Sequence, residues 1–124
     1  MSDITYTINA NVNKGVFSQQ YIAAGKTTDM TSVGILAVTL EPGTATQAVS
    51  TASATTLGYC FARNLATDTS GTAVVKFGRI SGTNFFDAVR IKPGDAAWFR
   101  LSAGDYAVQG VAGNPPLLLE ILED

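Results

Sequence analysis

The chain has 124 residues, of which 46% are hydrophobic and only 15% are charged, with a formal net charge of −2. This length fits one domain that buries roughly two thirds of its unfolded surface, and the low charge content indicates a surface solvated mainly by hydroxyl and amide groups. Eight basic and ten acidic residues, spread without runs, argue against direct nucleic-acid binding and against a polybasic membrane anchor. No apolar stretch reaches the roughly 18 residues that span a bilayer, and no secretion signal opens the chain, so we expect folding in a cytoplasm.

Apolar and polar residues alternate from the N-terminus, which predicts a β-strand with one dry face. Its apolar positions are Ile4, Tyr6, Ile8, Ala10 and Val12. Lys14-Gly15 predicts a turn, residues 16–23 a second strand that Gly25 ends, and residues 26–32 a short helical turn. The apolar run at 33–40 predicts a central strand buried on both faces.

The rest of the chain alternates short apolar runs with turn residues. Strands are predicted at 46–49, 57–65, 72–80, 85–91, 96–101, 106–111 and 117–122. They recur about every ten residues, a spacing typical of a sandwich or barrel. We therefore predict an all-β chain of eight to ten antiparallel strands with little helix. The favoured architecture is a β-sandwich of jelly-roll or Greek-key order, forming a single domain over residues 1–124.

The chain contains no histidine and one cysteine, Cys60. The usual general base, the Ser-His-Asp triad and thiolate or imidazole metal sites are therefore missing. Cys60 lies between Tyr59 and Phe61, which predicts a buried, inert thiol. We expect no enzyme activity, no metal site and no cofactor.

Residues 90–110 carry a Pro-Gly turn, an aromatic strand and a Gly-Asp turn, as metal-binding cupin barrels do. Because those enzymes use histidine clusters, we interpret Pro93-Gly94 as a structural turn of a jelly roll. Four aspartates could in principle pair for glycoside hydrolysis, but turn and strand positions account for them better. They are Asp68, Asp87, Asp95 and Asp105.

Five aromatic residues could line a sugar-binding platform: Phe85, Phe86, Trp98, Phe99 and Tyr106. Adjacent strand residues point to opposite faces, so one ring of Phe85/Phe86 and one of Trp98/Phe99 should lie outside the core. We favour core packing and an assembly interface for these rings, with the glycan platform as the alternative.

Twenty-one consecutive residues, 42–62, carry no charge. Uncharged β surface is adhesive, so this stretch is covered either by its own chain or by another copy, and we favour another copy. The N-terminal strand 1–13 is expected to reach a neighbouring subunit, and residues 117–122 should form a central or partner-capped strand. The predicted interface residues are Ile4, Tyr6, Val49, Leu57, Tyr59, Phe85 and Phe86.

The C-terminal half resembles small β-sandwich virion proteins of tailed bacteriophages, above all head decoration or cement proteins. The resemblance lies in GYCFARNL (58–65), RIKPGDAAWFRL (90–101), YAVQG (106–110) and LLLEILED (117–124). It implies a non-enzymatic protein of the virion, assembled in the host cytoplasm, that forms a homotrimer and binds the major capsid protein. It also implies that Arg63 and Asn64 hold the loop at a strand end. The alternative is a glycan-binding module of a tail fibre or spike.

Overall fold

The computed structural model describes residues 3–30, 35–50, 56–67, 71–112 and 114–123. These residues form ten β-strands and no helix, and the chain divides into two compact units, residues 1–31 and 32–124. The first unit holds β1 (Ile4–Lys14) and β2 (Phe17–Thr28). The second unit holds β3 (Ile35–Leu40), β4 (Gln47–Val49), β5 (Leu57–Asn64), β6 (Val75–Ser81), β7 (Asn84–Ile91), β8 (Ala96–Arg100), β9 (Tyr106–Gly110) and β10 (Leu117–Glu123).

The first unit is an antiparallel hairpin in which β1 pairs with β2 along its whole length. Gly15 and Val16 form its two-residue turn. Gly15 has a φ of 57°, the positive value that a type II′ turn takes at its first central residue. Gly25, with a φ of 63°, lies at an irregularity of the ladder, so it introduces a bulge into β2 and does not end the strand.

Two four-stranded antiparallel sheets make up the second unit. Sheet 1 has the order β3-β10-β5-β8, and sheet 2 has the order β4-β9-β6-β7. The pairs β6·β7, β5·β8, β4·β9 and β3·β10 are nested around the turn between β6 and β7, and successive pairs alternate between the two sheets. This nesting is the strand order of a jelly roll.

One face of each sheet is buried against the other. In β10 the burial alternates, since Leu117, Leu119 and Ile121 are fully buried while the residues between them are half-buried. The Phe77 ring of sheet 2 packs against the Phe99 ring of sheet 1, with centroids 5.6 Å apart. The buried core consists of Val49, Cys60, Ala62, Val75, Phe77, Ile91, Leu101, Tyr106, Val108, Leu117, Leu119 and Ile121.

Asn64, at the end of β5, is fully buried, and its side chain makes three hydrogen bonds. Its Nδ2 donates to the carbonyl oxygens of Ala73 at 2.7 Å and Ile91 at 2.9 Å. Its Oδ1 accepts from the backbone N–H of Ala66 at 2.9 Å. One side chain therefore joins the loop after β5, the loop before β6 and the end of β7.

The backbone of Asn64 fixes the turn before β8. Its N–H donates to the carbonyl of Asp95 at 3.0 Å, and its carbonyl accepts from the N–H of Gly94 at 2.9 Å. The turn is closed by the Asp95 N–H donating to the Lys92 carbonyl at 2.9 Å. Pro93 and Gly94 occupy its central positions, and the Gly94 φ of 82° is typical of a type II turn.

The structure confirms the all-β sandwich, the jelly-roll order and the strand count of eight to ten. It also confirms that residues 117–122 form a central strand, because β10 lies between β3 and β5. The single-domain prediction for residues 1–124 stays a prediction: the contacts divide the chain between residues 31 and 32, and the sandwich lies in residues 32–124.

Two local predictions are wrong. Residues 26–28 belong to β2 and residues 29 and 30 are irregular, so the described part of 26–32 has no helical turn. The described part of the run at 33–40 is an edge strand, β3, with Ile35 52% exposed. Val38 and Leu40 pack on the core, whereas Ile35 and Ala37 are exposed. Positions 31–34 lie outside the described residues.

The uncharged stretch 42–62 has two parts. Residues 57–62 belong to β5, which lies between β10 and β8, so the chain itself pairs both edges of this part, and the cover of its outward side chains by a second copy stays a prediction. An interior strand needs no charged defence of its edges. Residues 44–48 are exposed, and residues 51–55 lie outside the described residues.

Replacing Asn64 should destabilise the jelly roll. Asn64→Ala removes the donor from two carbonyl oxygens, so we expect the free energy of unfolding to fall by about 3 kcal/mol. Urea unfolding followed by the fluorescence of Trp98, the only tryptophan, measures this loss. The control Asn84→Ala, at an exposed position of β7, should change it by less than about 0.5 kcal/mol. Equal losses would show that the buried network contributes nothing specific.

A side chain at Gly78 should disturb the pairing of β6 with β7. A Cβ at Gly78 would lie 2.0 Å from the Phe86 carbonyl oxygen and 2.8 Å from the Asp87 Cα. Because both are backbone atoms, Gly78→Ala should cost about 2 kcal/mol or more in the same urea assay. At Gly43 the added Cβ would lie 3.3 Å from the Asn114 Oδ1, an atom of an exposed side chain that can move. Gly43→Ala is therefore the control, and similar losses would contradict the steric argument.

Candidate functional site

The hairpin carries an exposed apolar face. Strand alternation places the even-numbered residues of β1 on one face, and the register adds their partners on β2. The apolar residues of this surface, the hairpin apolar face, are Ile4, Tyr6, Ile8, Ala10, Val12, Phe17, Tyr21 and Ala23. The same face also carries the polar residues Lys14, Gln19, Lys26 and Thr28. Ile8, Val12, Phe17 and Tyr21 are 43%, 40%, 55% and 57% exposed, respectively. A two-stranded hairpin is marginally stable in water, and a contiguous exposed apolar patch marks an interaction site.

The opposite face of the hairpin is mostly polar and is uncharged apart from its base, with Ile22 as an exposed apolar residue. Along β1 it carries Thr5, Thr7, Asn9, Asn11 and Asn13. The Ser18 hydroxyl donates to the Asn13 Oδ1 at 2.8 Å, which links the two strands near the tip. Charges are sparse along the edges of the hairpin, since none occurs at residues 4–13 or 15–25. Lys14 at the end of β1 and Lys26 in β2 are the charged residues of its two strands, and charged residues discourage strand pairing.

Sheet 1 presents a second apolar surface on the side away from the core. Its fully buried residues alternate with residues that point outward. The outer face of sheet 1 consists of Ile35, Ala37, Thr39, Tyr59, Phe61, Arg63, Ala96, Trp98, Arg100, Leu118, Glu120 and Leu122. Most of its large apolar side chains are half-buried by their neighbours.

An aromatic stack orders part of this outer face. The Tyr59 and Trp98 rings are stacked with centroids 4.8 Å apart and planes within 9°. The Arg100 guanidinium carbon lies 4.6 Å from the Tyr59 centroid, within the range of a cation–π contact. The Tyr59 ring is thus already covered by two side chains of its own sheet.

The predicted interface residues fall on several surfaces. Ile4 and Tyr6 lie on the hairpin apolar face, and Tyr59 lies on the outer face of sheet 1. Phe85 and Phe86 lie on β7, where Phe86 is 60% exposed. The other two, Val49 and Leu57, pack in or against the core, so their side chains support the sandwich.

Sequence reasoning missed the β2 half of the hairpin apolar face. Ala23 and Tyr21 are the ladder partners of Ile8 and Ala10. Phe17, the partner of Lys14, lies on the same face of the hairpin. The signal was present in the sequence as a period of two through Phe17, Gln19, Tyr21 and Ala23. It was obscured because exposed polar residues and Ile22 on the opposite face blur the contrast between the two faces.

The five rings of the predicted sugar platform are not brought together. Phe99 and Tyr106 pack on Phe77 in the core, with centroids 5.6 and 5.5 Å from it. Trp98 lies on the outer face of sheet 1, and Phe85 and Phe86 lie on β7 of sheet 2. The prediction that Trp98 and Phe99 point to opposite faces is confirmed.

The turn residues occupy a single corner of the jelly roll. Asn64, Pro93 and Gly94 belong to the hydrogen-bonded turn described above. Arg63 is exposed on the outer face of sheet 1, where its ladder partners are Leu118 and Ala96. The implied role of Arg63 in holding this loop stays a prediction.

The described aspartates among the four glycosidase candidates lie at strand and turn positions of the sandwich. Asp87 forms an exposed ion pair with Arg90 at 3.3 Å. The carbonyls of Asp95 and Asp105 accept hydrogen bonds from the N–H groups of Asn64 and Ile80, and Asp68 lies outside the described residues. Among the described residues, no group of three or more His, Cys, Asp or Glu side chains is placed to hold a metal ion.

A cleft opens where the core reaches the free edges of the two sheets. Its apolar lining includes Phe77, Val89, Phe99 and Leu101. Its volume of about 220 Å³ is below the roughly 300–1,000 Å³ of most ligand pockets. The cleft is therefore a gap at the edge of the core with room for one small apolar group.

Cys60 is fully buried among the core residues of β5. Burial raises the pKa of the Cys60 thiol from its ordinary value of 9.0 to about 12, because the thiolate is poorly solvated there. Since the thiolate is the nucleophile and the metal ligand, this cysteine is inert at neutral pH.

Comparisons with protein-family models, with curated proteins and with solved structures gave no significant match. Among the described residues, no helix has the length and apolarity needed to cross a membrane.

The raised pKa of Cys60 predicts a loss of stability in alkali. Above pH 9 the unfolded chain releases the thiol proton while the folded chain keeps it to about pH 12, so the free energy of unfolding falls across this window. Between pH 8 and pH 10 the native chain should lose about 1 kcal/mol more than Cys60→Ala. Urea unfolding at both pH values measures the difference, and parallel losses would contradict it.

Proposed function

We propose that this chain is a structural, non-enzymatic protein of a tailed-phage virion, of the head decoration kind. In this role it binds copies of itself and the major capsid protein, and it stabilises the shell. The observation that carries the proposal is the hairpin apolar face, whose Ile8, Val12, Phe17 and Tyr21 side chains are 40–57% exposed. The resemblance of residues 58–124 to decoration proteins adds the virion location and favours a trimer.

Two kinds of surface are available for such a role. The hairpin offers exposed apolar side chains and two edges with few charges, whereas the jelly roll offers the outer face of sheet 1. A protein that bridges several neighbours gains from many small contacts, because each later contact forms at a high effective concentration. Rigid sheets with adhesive faces fit this mode of binding better than a single deep pocket does.

The glycan-binding alternative has less support. Its aromatic platform is divided between the core, the outer face of sheet 1 and β7, and the Tyr59 ring is covered by Trp98 and Arg100. A sugar stacks on the open face of an aromatic ring, so the covered Tyr59 ring counts against a glycan platform on the outer face of sheet 1.

Co-sedimentation with capsids tests the proposal. Purified protein at 1–10 µM, a range on the order of ordinary protein–protein affinities, is mixed with capsids that lack it. We expect saturable binding and an increase in the temperature at which the capsids break, because the bound protein bridges capsomers.

Capsids that already carry their full complement of the protein serve as the control and should bind none. A protein that stays in the supernatant would overturn the proposal. A monomer that instead binds an oligosaccharide array would favour the tail-fibre or spike module.

A further inference from the structure

We infer that the cleft at the edges of the two sheets is a binding site for a small apolar group that carries a carboxylate. The apolar group lies in the cleft, and its carboxylate binds the guanidinium of Arg79. Two kinds of ligand have this chemistry, namely a free short-chain carboxylic acid and the apolar C-terminal residue of a peptide. The residues that line the cleft all belong to the jelly roll, so this site does not depend on the role proposed for the hairpin.

The apolar lining of the cleft comes from both sheets. Aromatic and branched side chains form it: Phe77, Val89, Phe99 and Leu101. The volume of about 220 Å³ exceeds that of cavities of about 150 Å³ that bind benzene. The cleft therefore accommodates a branched or cyclic group of about five or six carbon atoms.

Arg79 is a cation without a counterion in the described part of the chain. Its guanidinium makes no hydrogen bond or ion pair with these residues, and none of the described residues that line the cleft is acidic. Arg100 also borders the cleft, but its guanidinium lies over the Tyr59 ring, 4.6 Å from the centroid. A planar guanidinium binds a carboxylate through two parallel hydrogen bonds. The charge at the cleft therefore favours an anionic ligand.

Packing places the Arg79 guanidinium beside the apolar space. Its Cζ lies 6.0 Å from the centroid of the Tyr106 ring, and the Tyr106 hydroxyl donates to the Ser102 carbonyl at 2.6 Å. A Cβ at Gly104 would lie 2.7 Å from the Arg79 Cζ, so the missing side chain leaves room for the guanidinium in this position. Because Tyr106 and Ser102 also line the cleft, the cation is positioned before a ligand arrives, which lowers the cost of binding.

An NMR titration with isocaproate tests the site, because isocaproate is leucine without its amino group. The protein is ¹³C-labelled at its valine and leucine methyl groups, and we expect saturable shifts of the Val89 and Leu101 signals. A ligand of about eight non-hydrogen atoms should bind with a Kd on the order of 1 mM. Isocaproamide lacks the charge and acetate lacks the branched group, so each should bind at least about tenfold more weakly.

Two arginine substitutions form a matched pair. Arg79→Gln removes the cation at the cleft and should weaken isocaproate binding at least about tenfold. Arg90→Gln is the control, because Arg90 lies on the outer face of sheet 2 and pairs with Asp87, and it should leave the Kd within about twofold. Both arginines are exposed, so the jelly roll should remain folded, and urea unfolding followed by Trp98 fluorescence checks this.

Three results would overturn the inference. They are the absence of saturable methyl shifts up to about 50 mM isocaproate, equal binding of isocaproate and isocaproamide, and equal effects of Arg79→Gln and Arg90→Gln.

N-acetyl-leucine distinguishes the two kinds of ligand. It has the branched group and the carboxylate of isocaproate, and it adds the peptide bond that precedes a C-terminal residue. The cleft opens at the free edges of β7 and β8, where an extended peptide can pair with an edge strand. Tighter binding of N-acetyl-leucine than of isocaproate would support the site and identify a peptide C-terminus as its ligand. Weaker binding would support the site and identify a free acid.

Discussion

Burial of one apolar face from each sheet is the constraint on which the rest of the jelly roll depends. Leu117, Leu119 and Ile121 from β10 meet the Phe77 side of sheet 2, and no disulfide is possible with a single cysteine. The turns can be short because the sheets hold each other in place. Asn64 is the polar exception within this apolar interior, and its three side-chain hydrogen bonds fix the loops at one corner. Apolar burial stabilises the sandwich, whereas the Asn64 network specifies where its chain turns.

The strands themselves could be predicted from the sequence because the alternation of polar and apolar residues is a local property. The turn at Pro93-Gly94 was predictable for the same reason, since proline and glycine fix its backbone angles. Position within a sheet is not local. The apolar run of β3 looks like a central strand, yet β3 lies at an edge because it pairs on one side only, with β10, which comes more than seventy residues later. The order of strands is decided by such distant pairings, and no short window contains them.

The candidate site was partly predictable for related reasons. Ile4 and Tyr6 were identified from the alternation in β1, and the same logic applied to β2 would have added Phe17 and Tyr21. Val49 and Leu57 were assigned to an interface because their stretch lacks charge. In the structure these side chains face the core, and a missing charge is equally natural there. Composition indicates that a residue avoids water, but only the fold indicates which neighbour covers it.

The nested pairing of the jelly roll also affects how the chain reaches its fold. The β6·β7 pair closes across a two-residue loop. By contrast, β3 and β10 are the first and last strands of the unit, so they are the pair most widely separated in the sequence. The entropic cost of loop closure grows with loop length, and a topology rich in distant contacts folds slowly. We therefore expect closure to propagate outward from β6·β7, with the edge strand β3 docking onto β10 at the end. Until then, the apolar faces of β3 and β10 are exposed to other newly made chains. Aggregation therefore competes with folding over a long interval, although the same topology shields the core once folding is complete.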